Sequence, residues 1–340
     1  MIAPAPVGVE LWRGGRVESR HRVHLVVAPP RGPLRLQRGD PGLRVYPRSA
    51  IKPFQALAML ALGADRAFGV TSEEIALACA SHSGEPAHVE RVAAWLARLG
   101  LDAAHLACGA HPPLATEAAR ALWRQGLEPT ALHNNCSGKH AAMLTLARHL
   151  GAPLARYVEP DHPVQRCIFD VLQKLAAGAF ELPPGIDGCS VPTWPLALEA
   201  LARAAARFAT GEGLEPALAA GARRIIDACR RHPELVAGEG RSCTRIIRAL
   251  ADGIVKTGAE GVYVAMLPRL RLGVALKVED GAGRAAEIAI AAALDALGAL
   301  DAAARRALAD LLRRPIFNHA GRRVGELLSV PGWLSGDGRG

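Results

Sequence analysis

The sequence predicts an α/β fold: one antiparallel sheet assembled from both ends of the chain, with helices on its faces and a helical insertion between the terminal strands. Three observations carry this. Residues 7–29 alternate apolar and polar around Gly14-Gly15, the pattern of a β-hairpin. Strand-like runs return with Val262–Leu267 and Leu272–Val278, joined by the turn Pro268-Arg269-Leu270-Arg271. Between the two ends, from about 49 to 251, the patterning is helical. No internal repeat or low-complexity linker divides the chain, so 1–340 reads as a single domain, with 209–214 the best boundary candidate.

Taken in order, residues 34–36 are expected to add a short third strand. After Val45-Tyr46-Pro47 a helix opens at Ser49. Thr71-Ser72-Glu73-Glu74 is a capping box, in which hydroxyl and carboxylate reciprocally satisfy the first backbone N–H groups, so a helix is expected to run from there to about Cys79. Helices follow near 86–99, 115–125, 139–150, 163–177, 195–209, 215–231 and 242–251. Beyond the second strand pair, helices are expected near 283–298 and 301–313 and a last strand at 323–328. Residues from about 332 to 340 read as a Gly-rich, frayed tail.

Composition narrows the function classes. Half the residues are hydrophobic but only 4% are aromatic, so the core must be built from Ala, Leu, Val and Ile. The net charge of +9 permits acidic partners or anionic substrates. The arginines, however, are dispersed as singles and short pairs without interleaved aromatics, so nucleic-acid binding is not expected. No run reaches the ~18 apolar residues of a membrane span. Met1-Ile2-Ala3-Pro4 lacks a basic region followed by an apolar core, and seven scattered cysteines read as reduced thiols, so a cytoplasmic location is expected.

The chain has five lysines against thirty-six arginines. Guanidinium keeps its proton under protein conditions, whereas a desolvated amine can act as a base or a ligand. Lys174 alone reads as an ordinary surface lysine. Lys52 closes Ser49-Ala50-Ile51-Lys52, whose i,i+3 spacing puts hydroxyl and amine on one helical face. Lys256 opens Lys256-Thr257-Gly258, at the far end of the chain but placed by the strand arrangement beside the serine helix. S-x-x-K on a helix with K-T-G on a strand is the paired signature of serine β-lactamases and penicillin-binding proteins. Their middle S-D-N element is missing; Ser81-His82-Ser83-Gly84-Glu85 offers a second hydroxyl instead. Two polar loops, 133–140 around Cys136 and Lys139 and 187–192 around Cys189, each precede a helix. Two thiols with an imidazole or amine suit a tetrahedral zinc, although from the spacing alone two buried free cysteines are the simpler explanation.

Over residues 8–328 these segments resemble the zinc-binding L-asparaginases of the serine β-lactamase-like fold, the asparaginase II or rhizobial type. The matching runs are Arg48-Ser49-Ala50-Ile51-Lys52-Pro53-Phe54-Gln55, Ala80 through Glu85, Asn135 through His140, Asp187-Gly188-Cys189 and Lys256 through Gly261. The resemblance implies a β-lactamase-like catalytic domain, a homodimer, and two serine–lysine pairs, Ser49 with Lys52 and Ser81 with Lys256. It also implies Zn2+ held by Cys136, Lys139 and Cys189, with Asp187 as a supporting carboxylate.

The expected reaction is hydrolysis of L-asparagine to L-aspartate and ammonia. Ser49 attacks, Lys52 is the base, and Ser81 passes a proton to the leaving group. Arg48 is expected at the substrate α-carboxylate, Glu85 at the α-ammonium, and His140 against substrate or metal. The two pairs can exchange roles, and Lys277 competes with Lys256 for its place. A β-lactamase or penicillin-binding-like hydrolase, and a non-catalytic zinc-binding sensor on the same scaffold, are the rival readings.

Overall fold

The computed structural model describes residues 5–178, 180 and 182–335; the chain start at 1–4 and the last tail residues, 336–340, lie outside the described residues. The chain divides into two compact units.

The sheet unit comprises residues 5–50, 196–210 and 245–335. Its strands are β1 (Val7–Arg13), β2 (Arg16–Ala28), β3 (Leu36–Arg38), β4 (Ile254–Thr257), β5 (Val262–Leu267), β6 (Leu272–Val278), β7 (Arg313–Phe317) and β8 (Arg323–Ser329). The order is β7-β8-β1-β2-β6-β5-β4, with β3 pairing β2, and every pairing is antiparallel. Both ends of the chain therefore build one sheet, as the alternation predicts. The β1–β2 turn is made by Gly14 and Gly15 at φ 54° and 77°, the left-handed pair that tight hairpins require.

All six residues of β5 are buried because helices cover both sheet faces, Leu198–Thr210 on one and Gly283–Ala296 on the other. The first of these packs on bare backbone. A Cβ at Gly273 would stand 2.0 Å from the Ala202 carbonyl oxygen and 2.8 Å from Ala205 Cβ. An alanine-faced helix against a glycine in the strand is how a chain poor in aromatics closes this layer.

Two expectations change. The helix expected over 301–313 breaks into Ala302–Ala307 and Ala309–Leu312, and 313–317 becomes β7, with Pro315 opposite Glu326 on the sheet edge. An edge strand has no ladder bond to lose at proline, and pairing with β8 outweighs local helix preference. Ile254–Thr257, expected only as a lead into β5, is a strand in its own right.

The helical unit comprises residues 51–178, 180, 182–195 and 211–244. Its main helices are α1 (Lys52–Ala61), α2 (Ser72–Ala78), α3 (Pro86–Arg98), α4 (Ser137–His149), α5 (Pro163–Ala176) and α6 (Pro216–Arg231). The buried α1 packs against α4, α5 and α6, and α2 packs on α4 and α6. The capping box of α2 forms as expected: Thr71 N donates to Glu74 Oε2 at 2.9 Å and Glu74 N to Thr71 Oγ1 at 3.3 Å. Glu74 is further fixed by Arg98 at 2.6 Å. No helix among the described residues is long and apolar enough to cross a membrane.

Candidate active site

In the sheet unit, Ser49 lies in a 3-10 turn, Arg48–Ile51, that leads straight into the helix opened by Lys52. Arg48 holds φ 51°, unfavourable for a side-chain-bearing residue, so the backbone is bent immediately before the serine. Ala50 N closes this turn onto the Pro47 carbonyl at 3.0 Å. The end of β4 lies against the same residues. A Cβ at Gly258 would stand 2.5 Å from Pro47 O and 3.3 Å from Ala50 Cβ, so the glycine of Lys256-Thr257-Gly258 is what lets the two backbones meet. Lys256 is buried, and its Nζ donates to the Thr257 carbonyl at 2.9 Å. Lys277 lies elsewhere: its amine reaches the Val278 and Glu279 carbonyls. Burial lowers its pKa, with Glu260, Asp280 and Glu279 acting in the opposite sense.

In the helical unit, Lys52 is 1% exposed. Its Nζ meets Ser81 Oγ at 3.0 Å, the Asn135 carbonyl at 3.3 Å and, closer still, the Ala80 carbonyl. The amine donates to two main-chain carbonyls and to the Ser81 hydroxyl. The lysine of the first serine motif is thus hydrogen-bonded to the serine of the second.

Two main-chain bonds hold the Ser81 loop, Ser81 N to Val236 O at 3.0 Å and His82 N to Asn135 O at 3.2 Å. His82 is fully determined by its partners. Gly84 N donates to Nδ1 at 3.1 Å, so Nε2 carries the hydrogen and donates to Ser137 Oγ at 2.8 Å; Ser137 passes its own hydrogen to Leu132 O at 3.0 Å. Burial, and then His88 stacked at 4.9 Å, hold the His82 pKa well below the ordinary histidine value. It ties the Ser81 loop to the start of α4 as a neutral strut.

Cys136 precedes α4 and Lys139 lies in its first turn, while Cys189 sits on the turn in which Asp187 N donates to Val191 O at 2.9 Å and Ser190 N to Asp187 O at 2.8 Å. Gly138, in the same turn as Lys139, lets α4 close on the end of α2, because a Cβ there would stand 2.3 Å from Leu77 O. Lys139 is 2% exposed and its Nζ lies 2.9 Å from Cys189 Sγ. Burial pulls its pKa down, but the Cys189 and Cys136 sulfurs outweigh that and hold it above the ordinary lysine value. The hydrogen bond with Cys189 places Cys136 well below the usual thiol range, helped by Lys52 and Lys139 against burial; the same bond and burial push Cys189 up.

Among the described residues no three His, Cys, Asp or Glu side chains converge on a metal position; the cluster that forms is two thiols and an amine. A buried lysine set against a thiol is costly as a bare ion pair. Sulfur and neutral nitrogen are donors that zinc accepts, so the residues fit that ion. Asp187 lies near enough for its charge to act on Lys139, and its Oδ1 accepts from Gly188 N at 2.7 Å.

His140 is buried and turned onto Tyr157, with Nδ1 2.6 Å from the phenol oxygen, which also accepts from Ala107 N at 2.9 Å. Burial, then Lys139 and Lys52, hold its pKa well below the ordinary value. Glu85 precedes α3, with Oε2 3.6 Å from His88 Nδ1.

Comparison with known families decides the relationship: the model for L-asparaginase II matches residues 9–329. The chain belongs to the L-asparaginase II family. Membership makes it an amidohydrolase of the asparaginase type. Among solved structures, the L-asparaginase II chain is similar to a β-lactamase from Sphaerobacter thermophilus, at 16% identity and TM-score 0.42, covering 83% of this chain and 93% of that one. A β-lactamase from Mycobacterium bovis matches at 14% identity and TM-score 0.40, over 85% and 94% of the two chains. One from Burkholderia ambifaria matches at 18% and 0.39, over 83% and 96%. Comparison with curated proteins gives no significant match.

Sequence reading overlooked three parts of this site: the His82–Ser137 strut, the Asn134 side chain that braces Cys136 N at 2.8 Å, and the loop 236–242. The last left one signal, Gly238 and Gly240 close together, which adopt φ 121° and 73°.

Proposed function

We propose that this chain hydrolyses the side-chain amide of L-asparagine to L-aspartate and ammonia through a serine acyl-enzyme. The observation that carries the reading is the buried Lys52 amine set 3.0 Å from Ser81 Oγ, in a member of an asparaginase-type family. Ser49 attacks the amide carbon and Lys52, three residues on in the sequence, takes its proton. Main-chain N–H groups at the Ser49 turn stabilise the tetrahedral oxyanion. Lys52 hands the proton to Ser81, which delivers it to the departing ammonia; water then cleaves the acyl-enzyme with Lys52 again as base. Lys256 is the second lysine of the set.

Cys136, Lys139 and Cys189 would hold a zinc ion, which when bound supplies positive charge and order to the wall of the site. His140 and Asp187 brace that wall, the first through Tyr157 and the second through its turn.

The test is ammonia release from L-asparagine and L-glutamine by wild type, Ser49→Ala and Lys52→Ala, with intact-mass detection of an acyl adduct. Wild type should release ammonia and both variants should lose at least about a hundredfold in rate. Equal activity in all three ends the serine mechanism. A wild type inert towards both amides ends the reading itself.

A further inference from the structure

The loop 236–242 runs against the Ser81 loop and brings a charge with it. Ser81 N donates to Val236 O at 3.0 Å and Ser83 Oγ donates to Ala237 O at 2.7 Å, so two hydrogen bonds hold the segments together. Four residues on, Arg241 Nη1 donates to the same Ser83 Oγ at 3.3 Å. Its guanidinium is half-buried, and no carboxylate pairs with it among the described residues. Other arginines of the chain are matched to acids, as Arg245 is to Asp310 at 2.7 Å and Arg98 to Glu74 at 2.6 Å. Arg241 is left on a neutral hydroxyl.

Glu85, two residues from Ser83, is the complementary case. The nearest basic nitrogen is His88 Nδ1 at 3.6 Å. His88 Nε2 donates to the Glu234 carbonyl at 3.0 Å, which leaves Nδ1 with a lone pair. Burial lowers the His88 pKa, so the ring is not a counter-cation for Glu85. Gly238, at φ 121°, lies against both Ser83 and Glu85: a Cβ there would stand 2.5 Å from Ser83 Oγ and 3.4 Å from Glu85 Oε2. The glycine is what lets the 238 backbone close against Ser83 beside the Glu85 carboxylate.

We infer that Arg241 and Glu85, flanking Ser83, form a two-signed receptor for a free α-amino acid, Arg241 taking the α-carboxylate and Glu85 the α-ammonium. The inference rests on the function proposed above and assigns its specificity: an amide carrying both charges is accepted two residues from Ser81, and one lacking either is rejected. A planar guanidinium binds a carboxylate through two parallel hydrogen bonds, the geometry an α-carboxylate offers. A site built for both charges leaves one of its own groups unpaired when the substrate lacks its match, which makes the rejection steep.

The experiment compares kcat/KM for L-asparagine, for 3-aminopropanamide, which lacks the α-carboxylate, and for succinamic acid, which lacks the α-ammonium. Wild type should prefer asparagine over each by about a hundredfold. Arg241→Gln should lower asparagine turnover by about that factor while leaving 3-aminopropanamide within about twofold; Glu85→Gln should do the same with succinamic acid spared. An equal loss on all three substrates would assign Arg241 a purely structural role and overturn the inference. So would a flattening of the carboxylate preference by Arg48→Gln instead. If wild type releases ammonia from none of the three, the functional reading has failed, and the receptor is tested by calorimetry with L-aspartate, succinate and β-alanine. Selective L-aspartate binding that Arg241→Gln weakens about a hundredfold upholds it, and equal binding of all three overturns it.

Discussion

Replacing Gly138 with alanine puts one methyl group where the site is tightest. The new Cβ would stand 2.3 Å from the Leu77 carbonyl oxygen, 2.7 Å from its carbon and 3.0 Å from Leu77 Cβ. Carbon and oxygen settle at ~3.3 Å or more, so α4 and the end of α2 must part by about 1 Å. The helix gains ~1 kcal/mol from exchanging glycine for alanine, whereas overfilling a packed contact costs ~1–3 kcal/mol, so stability should fall by no more than about 2 kcal/mol. Activity should suffer more. The Leu77 carbonyl accepts from Ala80 N at 3.0 Å, and the Ala80 carbonyl in turn accepts from Lys52. On the other side of the contact, Gly138 lies between Cys136 and Lys139. A shift of about 1 Å among reacting groups costs roughly a hundredfold in rate. Urea unfolding, bound-metal analysis and kcat/KM for L-asparagine should therefore show a protein that folds, binds zinc less well and turns over about a hundredfold more slowly. Wild-type kinetics with wild-type metal content would refute the idea that this contact sets the geometry.

Lys52→Arg keeps the charge but removes the ability to lose a proton, so kcat should drop by about 10²–10⁴-fold, and ammonia release within tenfold of wild type would contradict the base role. Chelation should mainly raise KM and expose Cys136 and Cys189 to a thiol reagent; loss of kcat at constant KM, with both thiols still protected, would count against an ordering role for the metal. Acid should destabilise the fold through His82. Its folded pKa is depressed, so the unfolded chain binds more protons below ~6.5; this stability is fully present above that pH and is lost as pH falls towards the folded value. Between pH 6.5 and 5.5 the contribution is about 1 kcal/mol, with a smaller part from His88. Urea midpoints at the two pH values check it, and an unchanged slope in His82→Gln would refute it.

The sheet was legible at both ends because β2, β5 and β6 carry strong period-two or continuous apolar signals. The strand β7 was not, since Arg313-Arg314-Pro315 reads as a terminator and only the pairing with β8 makes it a strand. In the site, spacing revealed every lysine motif but not its partner: Lys52 and Ser81 are 29 residues apart, and nothing local forecasts that contact. Cys136 and Lys139 share a helical turn and were readable together; Cys189, 50 residues beyond Lys139, stood out as a second polar loop, but spacing alone did not tie it to them. The loop 236–242 escaped notice because main-chain groups make most of its attachments, and these carry no residue signature.

A sheet that pairs residues 7–28 with residues 254–329 cannot close until the later strands have been synthesised. The β1–β2 hairpin emerges early, yet its neighbours β6 and β8 begin at Leu272 and Arg323. At about 5–20 residues per second the open edge of β2 waits roughly ten to fifty seconds for β6. Helices 51–195 can mature meanwhile, but the nascent hairpin stays an exposed apolar ribbon. Translation rate and holdase chaperones should therefore govern the yield of soluble polypeptide more than the stability of the finished molecule does.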